Sequence, residues 1–167
     1  AGPNDFSDNW HADGRGDMHY WSVWHEKKPF EAYYAIKPRF VSEFGYQSLP
    51  SYSEIKTFSE PKDWNITSPI MEFHQRSPGG NAIIFENFSR YFRVPLSFKS
   101  MLYLSQVQQA MAIQTAVQYW RSLRPICMGA TVWQLNDVWP IASWSSIDYS
   151  GKWKLFHYNE KKFFAPV

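Results

Sequence analysis

A chain of 167 residues is long enough for one domain with a real core, and its formal net charge of +2 is too small to argue for nucleic acid or an anionic membrane surface. No stretch approaches the roughly eighteen apolar residues of a membrane span, and the opening residues lack the charged and apolar regions of a signal peptide. The single cysteine, Cys127, has no internal partner and reads as a small buried hydrophobe.

The aromatic content is the unusual number: nine Trp, ten Tyr and thirteen Phe. Aromatic faces bind the C–H faces of sugars, stack on bases, or fill cores. Without basic clusters to neutralise phosphate, the base-stacking use weakens, and sugar binding and plain packing remain.

In chain order, residues 1–16 are polar, rich in Gly and Asp, and carry no period, which predicts a loop. The Arg15-Gly16-Asp17 tripeptide of integrin ligands runs straight into an apolar strand, so an adhesion role is rejected. Asp17 to Trp24 predicts a strand followed by an aromatic loop, with His19, Tyr20, Trp21 and Trp24 too many polar-tipped aromatics for a silent core strand. Pro29 sits at a plausible first helical position, and Phe30, Tyr33, Tyr34 and Ile36 follow at threes and fours until Pro38.

Phe40 and Val41 then open a buried strand, and Glu43 stands where that strand gives way to the turn chemistry of Gly45. Strand, helix, strand at this spacing is a βαβ unit with parallel pairing. A carboxylate beside a core strand loses hydration unless something nearby holds it. Either Glu43 is a structural acid paired with Arg39 or a backbone amide, or it is a catalytic group at the strand's C-terminal end, where parallel α/β barrels carry their chemistry.

Ser51-x-x-Glu54 is a capping box for a helix to about Phe58. Ser68-Pro69 starts a second, over Ile70 to Arg76, which Gly79-Gly80 breaks before a third over Asn81 to Phe92. The clearest helix follows the N-cap Ser97 and runs to about Leu123, with Met101, Leu104, Val107, Ala110, Ile113, Val117 and Trp120 as one apolar stripe; Pro125 stops it. Gly129 to Leu135 is a third buried strand, running into Trp133-Gln134-Leu135-Asn136-Asp137, and Leu155 to Phe164 is a closing helix.

Three parallel strands with polar, aromatic C-terminal ends form a cleft. No His-Glu-x-x-His, cysteine pair or spaced carboxylate set predicts a metal, and no glycine loop predicts a phosphate cradle. Ser42 and Ser48 lack the glycine pattern of a nucleophile elbow. A carboxylate among Trp and Tyr suits glycoside hydrolysis.

The chain resembles the β-mannosidases of glycoside hydrolase family 2. The residues that carry the resemblance are Gly16-Asp17-Met18-His19-Tyr20-Trp21, Pro38 through Ser48, and Trp133-Gln134-Leu135-Asn136-Asp137 with Trp139-Pro140 and Lys152-Trp153-Lys154. The resemblance implies an α/β fold: the C-terminal part, strands six to eight, of a (β/α)8 TIM barrel, incomplete in this chain. It divides residues 1–167 into a loop (1–16), a βαβ unit with the nucleophile strand (17–47), a helical region (48–128), the last barrel strand (129–137) and a closing loop and helix (138–167).

It further implies an exo-acting, retaining enzyme with Glu43 as nucleophile and Trp133 as the platform under the mannose. Asn136, Asp137, Tyr20, Trp21 and Trp24 would line the pocket. The acid/base Glu of the family, preceded by Asn, stands on the fourth strand and so upstream of this chain; Asn159-Glu160, after the last strand, does not match it. The expected partners are a β-mannoside or manno-oligosaccharide and the remainder of the same enzyme, its upstream barrel strands and β-sandwich domains. No nucleic acid, membrane span, metal or organic cofactor is expected, and the isolated chain should be inactive. The resemblance points to a periplasmic, secreted or lysosomal setting. A related family 2 enzyme acting on a glucosaminide or galactoside is the first alternative, and a non-catalytic carbohydrate-binding module using Trp133, Trp139 and Trp144 is the second. Two sequons, Asn65-Ile66-Thr67 and Asn87-Phe88-Ser89, permit N-glycosylation on a eukaryotic secretory route.

Overall fold

Three short parallel strands set the layout: β1 (Met18–His19), β2 (Val41–Phe44) and β3 (Ala130–Val132), hydrogen-bonded in the order β1-β2-β3. The structure is a computed structural model that describes residues 13–166, so most of the expected loop over 1–16 lies outside the described residues. Met18 pairs with Val41 and His19 with Glu43 across one ladder; Val41 pairs with Ala130 and Phe44 with Val132 across the other. The strands are shorter than the sequence suggests, because β1 turns after two residues into a four-residue helix, α1 (Ser22–His25), where an aromatic loop is expected.

The segment from β1 to β2 crosses over through a 3₁₀ helix at Phe30–Ala35, with Pro29 as its cap rather than its first residue. The expected stretch is helical, but in the tighter form suited to short connectors. After β2 come α2 (Tyr52–Phe58), α3 (Pro69–Phe73) and α4 (Gly80–Tyr91). Ser51 and Ser68 cap α2 and α3 by accepting from Glu54 N and Met71 N. Gly79 stands at φ +65°, a left-handed conformation in which a Cβ is strained, so the expected break falls between α3 and α4.

The long helix α5 (Phe98–Ser122) starts on the Ser97 cap and covers one face of the sheet. Trp120 meets Phe44 edge-on at 4.8 Å between ring centroids and Tyr33 at 5.6 Å. Around this contact Met18, Tyr20, Val23, Trp24, Val41, Ile113, Ala116 and Val117 form the main core. A second cluster of Leu49, Ile55, Met71, Phe88, Met101 and Leu102 packs α2, α3 and α4 against the start of α5. Helix α6 (Leu155–Phe163) closes the chain against α5. Phe40 and Thr131, at the start of β2 and within β3, are exposed, so the sheet carries helices on one face and leaves residues of the other open.

The apolar stripe of α5 is not the whole of its buried face. Leu104 and Val107 are only half-buried, whereas Gln106, Gln108 and Gln109 are buried with Ser105. Their amides reach the loops beyond β2 and β3, which positions the site. Among the described residues no helix is long and apolar enough to cross a membrane.

Candidate active site

The loops that leave the three strands are laced together by backbone hydrogen bonds continuing past the ladders. Tyr20 N donates to Glu43 O at 2.9 Å and Trp133 N donates to Phe44 O at 2.8 Å. Further out, Ser48 and Ser143 exchange N–H···O bonds at 2.9 and 3.1 Å, so the segments after β2 and β3 pair again. Three strand ends, those bearing His19, Glu43 and Trp133, are thereby held beside one another.

Glu43 is partly exposed, with 29% of its side chain open. Trp21 Nε1 donates to its Oε1 at 3.0 Å, and His19 Nδ1 lies 3.7 Å from the same oxygen, an ion pair whenever that imidazole is protonated. Both contacts fall on Oε1; no described residue hydrogen-bonds Oε2. Neither Arg39 nor a backbone amide of the described residues holds the Glu43 side chain; the groups that contact it are an indole and an imidazole from β1 and its exit. Glu43 is thus fixed through one oxygen at a partly open strand end.

From Trp21 a run of edge-on aromatic contacts leads into the core. Trp21 stands edge-on to Trp144 at 6.0 Å, Trp144 edge-on to Trp24 at 6.0 Å, and Trp24 edge-on to Tyr46 at 5.3 Å. Gly45 lets these parts meet: a Cβ there would overlap the Trp133 carbonyl oxygen and crowd Trp144 and Trp21. Gly45 is therefore required by close approach between strand ends and not, as its position suggests, by a turn.

Trp133, one residue past β3, is 45% exposed, and its peptide bond to Gln134 is cis. Asn136 is exposed and donates to Asp137 O at 3.2 Å. Three other expected pocket residues are placed elsewhere. Tyr20 is 7% exposed, donates its hydroxyl to Ala32 O and packs on Tyr33 and Trp120, because its side chain faces α5. Trp24 is fully buried, since the turn into α1 carries it into the main core. Asp137 is 7% exposed and its Oδ2 accepts from Ser143 Oγ at 2.9 Å and Ser145 Oγ at 2.6 Å. Its carboxylate anchors the loop that follows β3, so it is a scaffold group here and not part of the lining.

Two residues to which the sequence reading gave no role hold that loop. Gln109 Nε2 donates to Tyr46 O (2.9 Å), Trp144 O (3.1 Å) and Ser145 O (3.1 Å), while its Oε1 accepts from Ser48 Oγ (2.7 Å). One buried amide thus joins the segment after Glu43 to the segment after Trp133. Lys154, fully buried, sets its Nζ 3.4 Å from Ser143 O and Ser143 Oγ. Burial pushes its amine down from 10.5 to about 8, against the attraction of Asp137 and Asp148. The sequence signal for both was present: three glutamines in four positions next to an apolar stripe, and a lysine between an indole and a helix. Among the described residues no group of three His, Cys, Asp or Glu is placed to hold a metal ion.

No family model matches the chain. The β-mannosidase of Capra hircus is 38% identical to it over 165 residues, covering 91% of this chain and 18% of the goat protein. β-Mannosidase B of Aspergillus niger is 34% identical over 157 residues, covering 91% of this chain and 19% of the fungal one. The crystal structure of β-D-mannosidase from Dictyoglomus thermophilum matches with a TM-score of 0.89 at 36% identity, over 92% of this chain and 19% of that chain. The relatives found by sequence and by fold are of one kind, β-mannosidases. The chain is β-mannosidase-like over nine-tenths of its length, and it spans about a fifth of the length of the relatives it matches.

Proposed function

We propose that this chain is the nucleophile-bearing part of a retaining, exo-acting β-mannosidase of glycoside hydrolase family 2, with β1, β2 and β3 as the sixth, seventh and eighth strands of a (β/α)8 barrel. The observation that carries the reading is Glu43, held through Oε1 by Trp21 at the C-terminal end of β2. The open oxygen, Oε2, attacks the anomeric carbon as the bond to the leaving oxygen breaks, giving a covalent glycosyl ester that water then hydrolyses. A second carboxyl group, about 5–5.5 Å from the first in retaining enzymes, protonates the leaving oxygen and later activates the water. That acid/base belongs to a residue upstream of this chain, so the isolated segment hydrolyses no unactivated mannoside.

Trp133 supplies the platform for the sugar bound at the cleavage site, and Trp21 and Asn136 stand at its edge. The substrate is a β-mannoside or manno-oligosaccharide; the partners are the upstream barrel strands and β-sandwich domains of the same enzyme, in a periplasmic, secreted or lysosomal setting. Glu43→Gln in the full-length protein tests the reading: turnover should fall by about four orders of magnitude. Near-full activity in that variant would remove it.

A further inference from the structure

The two sequons, Asn65-Ile66-Thr67 and Asn87-Phe88-Ser89, look equivalent in the sequence and are opposite in the structure. Asn65 is exposed, between the 3₁₀ turn at Pro61–Asp63 and the start of α3. Its Oδ1 accepts from both Thr67 N and Thr67 Oγ1, each at 3.0 Å, an Asx turn that fixes the amide through its oxygen. Nδ2 donates to no described residue. The residue also borders an open groove with Trp64, Ile66, Leu96 and Phe98, which leaves room for a sugar beside it. Asn87 lies inside α4 with no exposure at all; its Nδ2 donates to Ile83 O at 3.3 Å and its Oδ1 accepts from Arg90 at 2.8 Å. Its neighbour Phe88 is fully buried in the second core cluster.

We propose that Asn65 is the N-glycan acceptor of this segment and that Asn87 is not. The co-reactant is a lipid-linked oligosaccharide pyrophosphate. Asn65 Nδ2 attacks the anomeric carbon of its reducing-end sugar, a C–N bond forms, the C–O bond to pyrophosphate breaks, and Nδ2 gives up one proton as the lipid pyrophosphate leaves. The Thr67 hydroxyl, already directed at Oδ1, polarises the amide for that attack. Transfer to Asn87 in the nascent chain would put a glycan where α4 must pack, so molecules that complete folding carry none there. The proposal goes beyond the catalytic reading and is independent of Glu43.

The test is glycopeptide mass spectrometry on the full-length protein secreted from a eukaryotic host, with and without peptide N-glycosidase F. The Asn65 peptide should carry one glycan and the Asn87 peptide none. Asn65→Asp keeps the Oδ1 acceptor of the turn while removing the amide nitrogen, and Thr67→Ala removes the directing hydroxyl; each should lose that one glycan and no other. Asn87→Asp should leave the glycan pattern unchanged. Folded, secreted protein with a bare Asn65, or with a glycan on Asn87, overturns the proposal.

Discussion

The indole N–H of Trp21 points at the Glu43 carboxylate and meets Oε1 at 3.0 Å. It ties the exit of β1 to the end of β2, so the rotamer of the acid is set by a neighbouring strand and not by its own. A hydrogen bond to a charged acceptor contributes about 1.5–3 kcal/mol. Trp21→Phe keeps the ring and removes the donor. In the full-length enzyme it should lower kcat/KM for a nitrophenyl mannoside by about 10- to 100-fold with little change in melting temperature. A fall of less than about threefold would show that the indole does not hold the acid.

Gly45→Ala tests the close approach of the strand ends. The added methyl would overlap the Trp133 carbonyl oxygen, a backbone atom that cannot swing aside as a side chain can. Overpacking of this kind costs about 1–3 kcal/mol, and a backbone neighbour puts the change at the upper end. The denaturant midpoint of the full-length protein should drop, and kcat/KM should drop with it. An unchanged midpoint would contradict the packing described.

Gln109→Leu keeps the volume of the side chain and removes its polar atoms. It leaves the carbonyls of Tyr46, Trp144 and Ser145, and the Ser48 hydroxyl, without their buried amide partner. Trp144 O still accepts from Gln134 N, and the other three groups lose their partner at about 1–3 kcal/mol each, so a loss of about 3 kcal/mol or more is expected in equilibrium unfolding. A loss below about 1 kcal/mol would mean that the two loops are held by something else.

Lys154 gives stability a pH dependence of defined sign. Its amine titrates near 10.5 in an exposed chain and at about 8 in the fold, because burial disfavours the ammonium. Between those values the unfolded chain binds more protons than the folded one, so this group makes stability rise with pH from about 8 towards 10.5. Below about 8 the full penalty of the buried ammonium is present. Relative to Lys154→Met, the wild-type protein should therefore gain on the order of 3 kcal/mol across that window. Parallel pH profiles for the two proteins would contradict the assignment.

How much of this the sequence carried depends on the kind of signal. The caps Ser51, Ser68 and Ser97, the helix over Phe98–Ser122 and the parallel order of the strands rest on local chemistry and period, and they were legible. Glu43 stood out because a carboxylate at the end of a buried strand is rare enough to ask for a reason. Tyr20 and Trp24 were misplaced because an aromatic after a strand can face the open end or the core, and the turn into α1 decides which. Asp137 was misplaced because its partners, Ser143 and Ser145, are brought to it only by the fold of the loop. Gln109 escaped notice because hydrophobic period counts apolar residues, and the buried face of α5 is partly polar; Lys154 was legible as part of a motif but not as a buried amine, because its burial is set by the fold of the loop around Ser143.

The most direct test of the central claim is to trap the glycosyl ester. Full-length enzyme treated with 2-deoxy-2-fluoro-β-mannosyl fluoride should lose activity as one sugar is attached, and peptide mass spectrometry should place that sugar on Glu43. Inactivation with the label on any other carboxylate, or full inactivation with Glu43 unmodified, would contradict it.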